Sequence, residues 1–149
     1  MRVIDILKTK SGEIYTTSPD TLLTQAILTM ASRDYGSLLV MQDGRLVGLL
    51  SFREVINTLA RQQLLAASDT PVVLETLRIK DVMNSAPIVV DPQMDVHTLR
   101  GLMVEVRQRF MPVVDNGLVL GVLSFYDVAR AVHEEQEAEN GQLKAYNTA

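Results

Sequence analysis

The chain has 149 residues, 47% of them hydrophobic, enough for about one ordinary domain with a genuine core. Trp is absent and only 5% of residues are aromatic, so that core is expected to be aliphatic. A formal net charge of -4 argues against a nucleic-acid binder, and the lack of Cys excludes disulfides, thiol catalysis and thiolate metal sites.

The N-terminal "MRVIDILKTK" has a short apolar stretch interrupted by Asp5, unlike a signal peptide. No apolar run approaches the ~18 residues of a membrane span, so a soluble, cytoplasmic protein is expected. "EIYTTSP" then reads as a β-rich run, and the Pro following Ser18 marks a helix start. Leu22, Leu23, Ala26, Ile27 and Met30 recur at helical spacing and form a core stripe. "SLLVM" and "RLVGLL" flank Asp43-Gly44, a pair suited to the positive φ angles of a tight hairpin turn. A second helix starts at "LSF" and runs to about Ala67, with Asp69 to Pro71 breaking it.

The same order then recurs. "PIVVDP" gives the β-rich run, with Asp91 before the Pro, and Val96, Leu99, Leu102, Met103 and Val106 give the helical stripe. "MPVV" and "LVLGVL" flank Asn116-Gly117, and a helix starts at the second "LSF". One interval of 73 positions relates Pro19 to Pro92, Met30 to Met103, Gly48 to Gly121 and "LSF" to "LSF". The chain is a duplication of a β-α-β-β-α unit. It divides into a first repeat at 1–67, a linker at 68–78, a second repeat at 79–133 and an acidic tail at 134–149. That tail is expected to be helical with a break at Asn140-Gly141. A three-stranded sheet is marginal alone, so the two copies are expected to pack sheet against sheet.

"SP…AILTM…GSLLVMQDGRLVGLLSFREV" and "DP…LRGLM…RFMPVVDNGLVLGVLSFYDV" resemble tandem cystathionine-β-synthase (CBS) domains, the Bateman module, as do the entry segments "VIDIL" and "IKDVM". The chain is similar in detail to stand-alone bacterial CBS-pair proteins. The resemblance implies an α/β (α+β) fold of two repeats in a pseudo-twofold pair, with N- and C-terminal helical extensions. It implies two clefts that take adenosine-containing ligands (AMP, ADP, ATP, NAD or S-adenosylmethionine), pairing into a homodimer, and a regulatory role. No catalytic domain accompanies the repeats, so the regulated partner is expected to be a separate protein.

The resemblance places Ser51 and Glu54, and Ser124 and Asp127, against phosphate and ribose. A carboxylate can accept hydrogen bonds from both hydroxyls of a ribose diol. Ser-x-x-Glu is also a capping box that binds nothing, and Glu54 departs from the family's usual Asp, so Glu54 stays open between the two roles. Asp127 is shorter than the box prefers and is read as the ligand group. Arg107 and Arg109, just before Met111 and Pro112, take the family's phosphate-side position, though Phe110 replaces a polar residue common there. They and Arg53 act together on phosphate or are merely solvated. Tyr15, Thr16, Ile88 and Val89 lie on the strands that would flank an adenine ring, or are ordinary strand residues. His133 and Glu137 share a helical face but make a poor metal site, and His97 is read as solvated. No nucleophile and base stand out. An adenosyl-nucleotide sensor is therefore expected, and a ligand-free dimerisation scaffold is the competing expectation.

Overall fold

A computed structural model describes residues 1–10 and 14–148, with side chains described through Leu143. The elements are α1 (Val3–Thr9), β1 (Thr16–Thr17), α2 (Leu23–Arg33), β2 (Ser37–Gln42), β3 (Arg45–Ser51), α3 (Phe52–Leu65), α4 (Ile79–Val82), α5 (Val96–Val106), β4 (Phe110–Asp115), β5 (Leu118–Ser124) and α6 (Phe125–Thr148), with a 3-10 turn at Leu74–Thr76. This is the mixed α/β architecture expected from the duplicated pattern. None of the described helices is long and apolar enough to cross a membrane.

The chain folds into two compact units that do not follow chain order. Of the described residues, one unit, here the α3 unit, comprises 14–88 and 117–119; the other, the α6 unit, comprises 1–10, 89–116 and 120–148. Each unit thus takes its short entry helix from the other end of the repeat pattern. In the α3 unit, Leu23 N donates to Leu77 O and Ile79 N to Thr21 O, seating α4 beside α2. In the α6 unit, Val3 N donates to Met94 O and Val96 N to Met1 O, seating α1 beside α5. Ile79 and Val3, both fully buried, anchor the two entry helices in their cores.

The α3 unit holds a three-stranded sheet in the order β1-β2-β3. Thr16 and Thr17 pair parallel with Leu39 and Val40, and β2 pairs antiparallel with β3, with a register shift between Val40 and Met41. Leu23, Ala26 and Met30 of α2 pack on Leu38, Val40 and Leu50 of the sheet. The α6 unit repeats this with Val96, Leu99 and Met103 against Met111, Val113 and Leu123. Both hairpins turn as expected, with positive φ at Asp43 and Gly44, and at Asn116 and Gly117.

Four local expectations are corrected. The β-rich run of the first repeat shrinks to two residues, with Tyr15 just outside it. That of the second shrinks to a single parallel bridge between Val90 and Val113, leaving Ile88 and Val89 outside any strand. These are edge segments, and an edge residue counts as strand only where a neighbour takes its hydrogen bonds. The helices start at Leu23 and Val96, five residues beyond Ser18 and Asp91. Asp91 instead accepts from Gln93 N in a turn, and Asp95 caps α5 by accepting from His97 N and Thr98 N. Gly141 does not interrupt α6, because one helical Gly costs only about 1 kcal/mol.

Candidate functional site

The site is built on the sharp turn where each last strand passes directly into a helix. Ser51 ends β3 in an extended conformation and caps α3. Its backbone N–H donates to Glu54 Oε1 at 3.0 Å, its hydroxyl donates to the same carboxylate, and Arg53 N donates back to Ser51 Oγ at 3.3 Å. The Glu54 carboxylate is thereby turned onto its own helix start, as a capping box requires.

The second turn is built the same way, which corrects the expectation that Asp127 suits the box less well. Ser124 N donates to Asp127 Oδ2 at 2.8 Å, and Asp127 N donates to Ser124 Oγ at 3.0 Å. An aspartate is long enough, because an extended residue at the helix start already points its N–H at the third residue's side chain.

What distinguishes this turn is a cation. Lys10, just past the end of α1, donates to Asp127 Oδ2 at 2.7 Å and to Val122 O at 3.0 Å. Half-burial pushes the Asp127 carboxyl up, but the Lys10 hydrogen bond, the Ser124 N–H, the Lys10 charge and the Ser124 hydroxyl together outweigh it. The group is held below the usual carboxylate range and is ionised at neutral pH. The Lys10 and Ser124 N–H bonds both fall on Oδ2.

Arg109 lies at the same turn, its carbonyl accepting from Phe125 N at 2.8 Å, with its side chain exposed. The turn therefore gathers an ionised carboxylate, a hydroxyl and the Lys10 ammonium group, groups suited to a sugar and an anion.

The CBS domain model matches residues 3–61 and 79–134, most of the chain. The chain belongs to the CBS domain family. Among curated CBS proteins it is similar to the mitochondrial CBS domain-containing protein CBSX3 of Arabidopsis thaliana, 27% identical, covering 97% of this chain and 70% of that one. Among solved structures it is similar to a signal-transduction protein with CBS domains from Burkholderia ambifaria MC40-6. That match has a TM-score of 0.77 and 29% identity over 91% of this chain and 96% of the other. It also shares its fold with CBSX2, a structure in complex with AMP, at a TM-score of 0.73 and 24% identity over 91% and 98% of the two chains.

The remaining motif positions of this CBS pair fall into place unevenly. Met111 is fully buried in the core of the α6 unit, and Pro112 offers its carbonyl to Val90 N. Arg107 adopts a left-handed conformation at the end of α5 and is exposed, two residues before Arg109. Arg53 lies in the first turn of α3, while Ile88 and Val89 are partly exposed backbone outside the sheets. Tyr15 gives its carbonyl to Leu39 N, and its ring stacks on Tyr35 with centroids 3.5 Å apart and planes 16° off parallel; Thr16 beside it is exposed. His97 is not simply solvated: its Nε2 stands 3.8 Å from Glu135 Oε1.

Sequence reasoning missed Lys10 and Tyr35. Nothing near Lys10 in the chain distinguishes it from any surface lysine. For Tyr35 the scarcity of aromatic residues was a usable signal, since the chain has four Tyr and three Phe.

Proposed function

We propose that this CBS pair is a regulatory module that binds an adenosine-containing nucleotide of the AMP, ADP, ATP or NAD type and acts on a separate partner protein. It carries no chemistry of its own. The supporting observation is the α6 turn, where an ionised Asp127 lies beside Ser124 and the Lys10 ammonium group. A ribose hydroxyl donates to the Asp127 carboxylate, and the cationic side carries phosphate. The shared fold with a protein solved in complex with AMP supports the same ligand class. A nucleotide that prefers one arrangement of the module shifts its population, and a partner recognising that arrangement reads the signal. The cysteine-free composition supports a reducing, cytoplasmic setting.

We read the module as a homodimer. Its support is α3, which exposes Phe52, Ile56, Leu59 and Leu64 at near-helical spacing, an apolar face larger than solitary surface residues need.

A second function, a ligand-free scaffold, is favoured by the capping geometry: both carboxylates are already engaged by their own helix starts. Thermal-shift measurement against AMP, ADP, ATP, NAD and S-adenosylmethionine separates the two. Ligand at a hundred times its Kd adds about 2.7 kcal/mol, a rise of several degrees. No rise with any of the five at millimolar concentration selects the scaffold.

A further inference from the structure

The chain contains two histidines, the only side chains in it whose ordinary charge change falls between about pH 5 and pH 8. His133 is exposed on α6. His97 lies in the first turn of α5, and its Nε2 stands 3.8 Å from Glu135 Oε1 on α6, within ion-pair reach but beyond a hydrogen bond. The Glu135 side chain is 27% exposed, yet its Oε2 is closed off from solvent and has no hydrogen-bond partner among the described residues. Beneath the pair, Leu99 and Met103 of α5 share one core with Val128, Ala131 and Val132 of α6, which fixes the two helices against each other. Beyond Glu135 every described side chain of α6, from Gln136 to Leu143, is exposed. Glu135 is therefore the last described contact of α6 with its unit.

We infer that His97 and Glu135 form a proton-operated clasp at the point where α6 leaves its unit, closed when the imidazole is charged and open when it is neutral. A carboxylate oxygen shut away from water with no donor is unfavourable, and a facing cation offsets that loss. A neutral imidazole has one N–H, whereas the charged ring has two and a full positive charge. Charging it draws the pair from 3.8 Å towards the about 2.7–2.9 Å of a charge-assisted hydrogen bond. No other group stands in for it. Asp95 accepts from the backbone of His97 and Thr98, Asp5 accepts from Arg2 N, and Arg2 donates from Nη1 to Gln93. Arg100 lies one turn along α5, and the amino group of Met1 is close by, since Met1 O accepts from Val96 N. On α6, Glu134 pairs with Arg130, and Glu139 lies one turn past Glu135. The strands below contribute apolar Met111, Val113 and Leu123. Among the described residues, Glu135 alone comes within ion-pair distance of the His97 ring.

The test is urea unfolding of the full chain at about pH 5.5 and about pH 8, either side of the ordinary imidazole range. Wild type, His97→Gln, Glu135→Gln and the double variant form a cycle that isolates the pair. Its coupling is expected to be about two- to fivefold in the unfolding constant at the lower pH, as for a part-exposed ion pair, and to vanish at the higher. The cycle repeated in a His133→Gln background should give the same result. Amide hydrogen exchange locates the effect: at the lower pH, α6 amides beyond Val132 should be more protected in wild type than in His97→Gln. Coupling that is equal at the two pH values, coupling absent at both, or a pH dependence that disappears with His133 overturns the clasp. Equal protection of α6 in the two proteins does so as well.

Discussion

Lys10 Nζ lies 2.7 Å from Asp127 Oδ2, although the two residues are 117 positions apart. The pair ties the end of α1 to the start of α6 and holds the aspartate ionised. Because the folded-state pKa of Asp127 is depressed, its contribution to stability is complete above the unfolded value near pH 4 and is lost as pH falls through the folded value. Lys10→Met should therefore lower stability at pH 7 by at most about 1 kcal/mol, as part-exposed pairs do. Urea midpoints followed from pH 7 to pH 3 should show the wild-type advantage shrinking at the acid end. A gap that stays constant across that range would mean the ion pair is not its source.

The two equivalent glycines resist a side chain for different reasons, Gly48 for lack of space beside Met83 and Asn84 and Gly121 for its φ of 159°. A Cβ on Gly48 would lie within 2.4 Å of Met83 Sδ and 3.1 Å from the Asn84 carbonyl, whereas at Gly121 the only near atom is the end of Leu7. Met83 can swing aside but the Asn84 backbone, paired with Leu49 through two 2.9 Å hydrogen bonds, cannot. Gly48→Ala is expected to cost about 1–3 kcal/mol, the usual cost of overpacking, and Gly121→Ala a similar amount of about 1–3 kcal/mol through backbone strain. Thermal melts check the two causes: trimming Met83 in Gly48→Ala/Met83→Ala should recover part of the loss, and trimming Leu7 in Gly121→Ala/Leu7→Ala should not.

Asp127→Ala is expected to weaken AMP binding more than Glu54→Ala. Both variants lose a cap, at about 1 kcal/mol of stability each, and Asp127→Ala also loses its pair with Lys10, so a difference in stability does not report binding. Affinity does: Asp127 is held ionised beside Lys10, whereas the Glu54 carboxylate is turned onto Ser51 by bonds to both of its oxygens. Calorimetry giving the opposite order would move the stronger half-site to the α3 unit.

The apolar face of α3 predicts an oligomeric effect. Ile56, 62% exposed, sits one helical turn from Phe52 and close to Leu59. Ile56→Glu places a charge in the middle of that face without touching the core, so the monomer should remain folded. Sedimentation equilibrium should show a dimer for wild type and a monomer for the variant. A variant that stays dimeric would place the interface elsewhere.

Much of this protein was legible as text because the deciding interactions are local. The hairpin turns depend on Asp43-Gly44 and Asn116-Gly117, neighbours in the chain whose φ angles are set by their own side chains or lack of one. The stripes of α2 and α5 and the boxes Ser51–Glu54 and Ser124–Asp127 lie within one or two helical turns, so spacing alone reveals them. Even there the text undervalued Asp127 as a cap, since reach depends on backbone angles that letters do not show. The tertiary structure alone decided the exchange of entry helices, the reduction of the outer strands to a pair of residues and one bridge, and the arrival of Lys10 at Asp127. These are partnerships between distant segments, and a residue's identity does not state which surface the rest of the chain will bring against it.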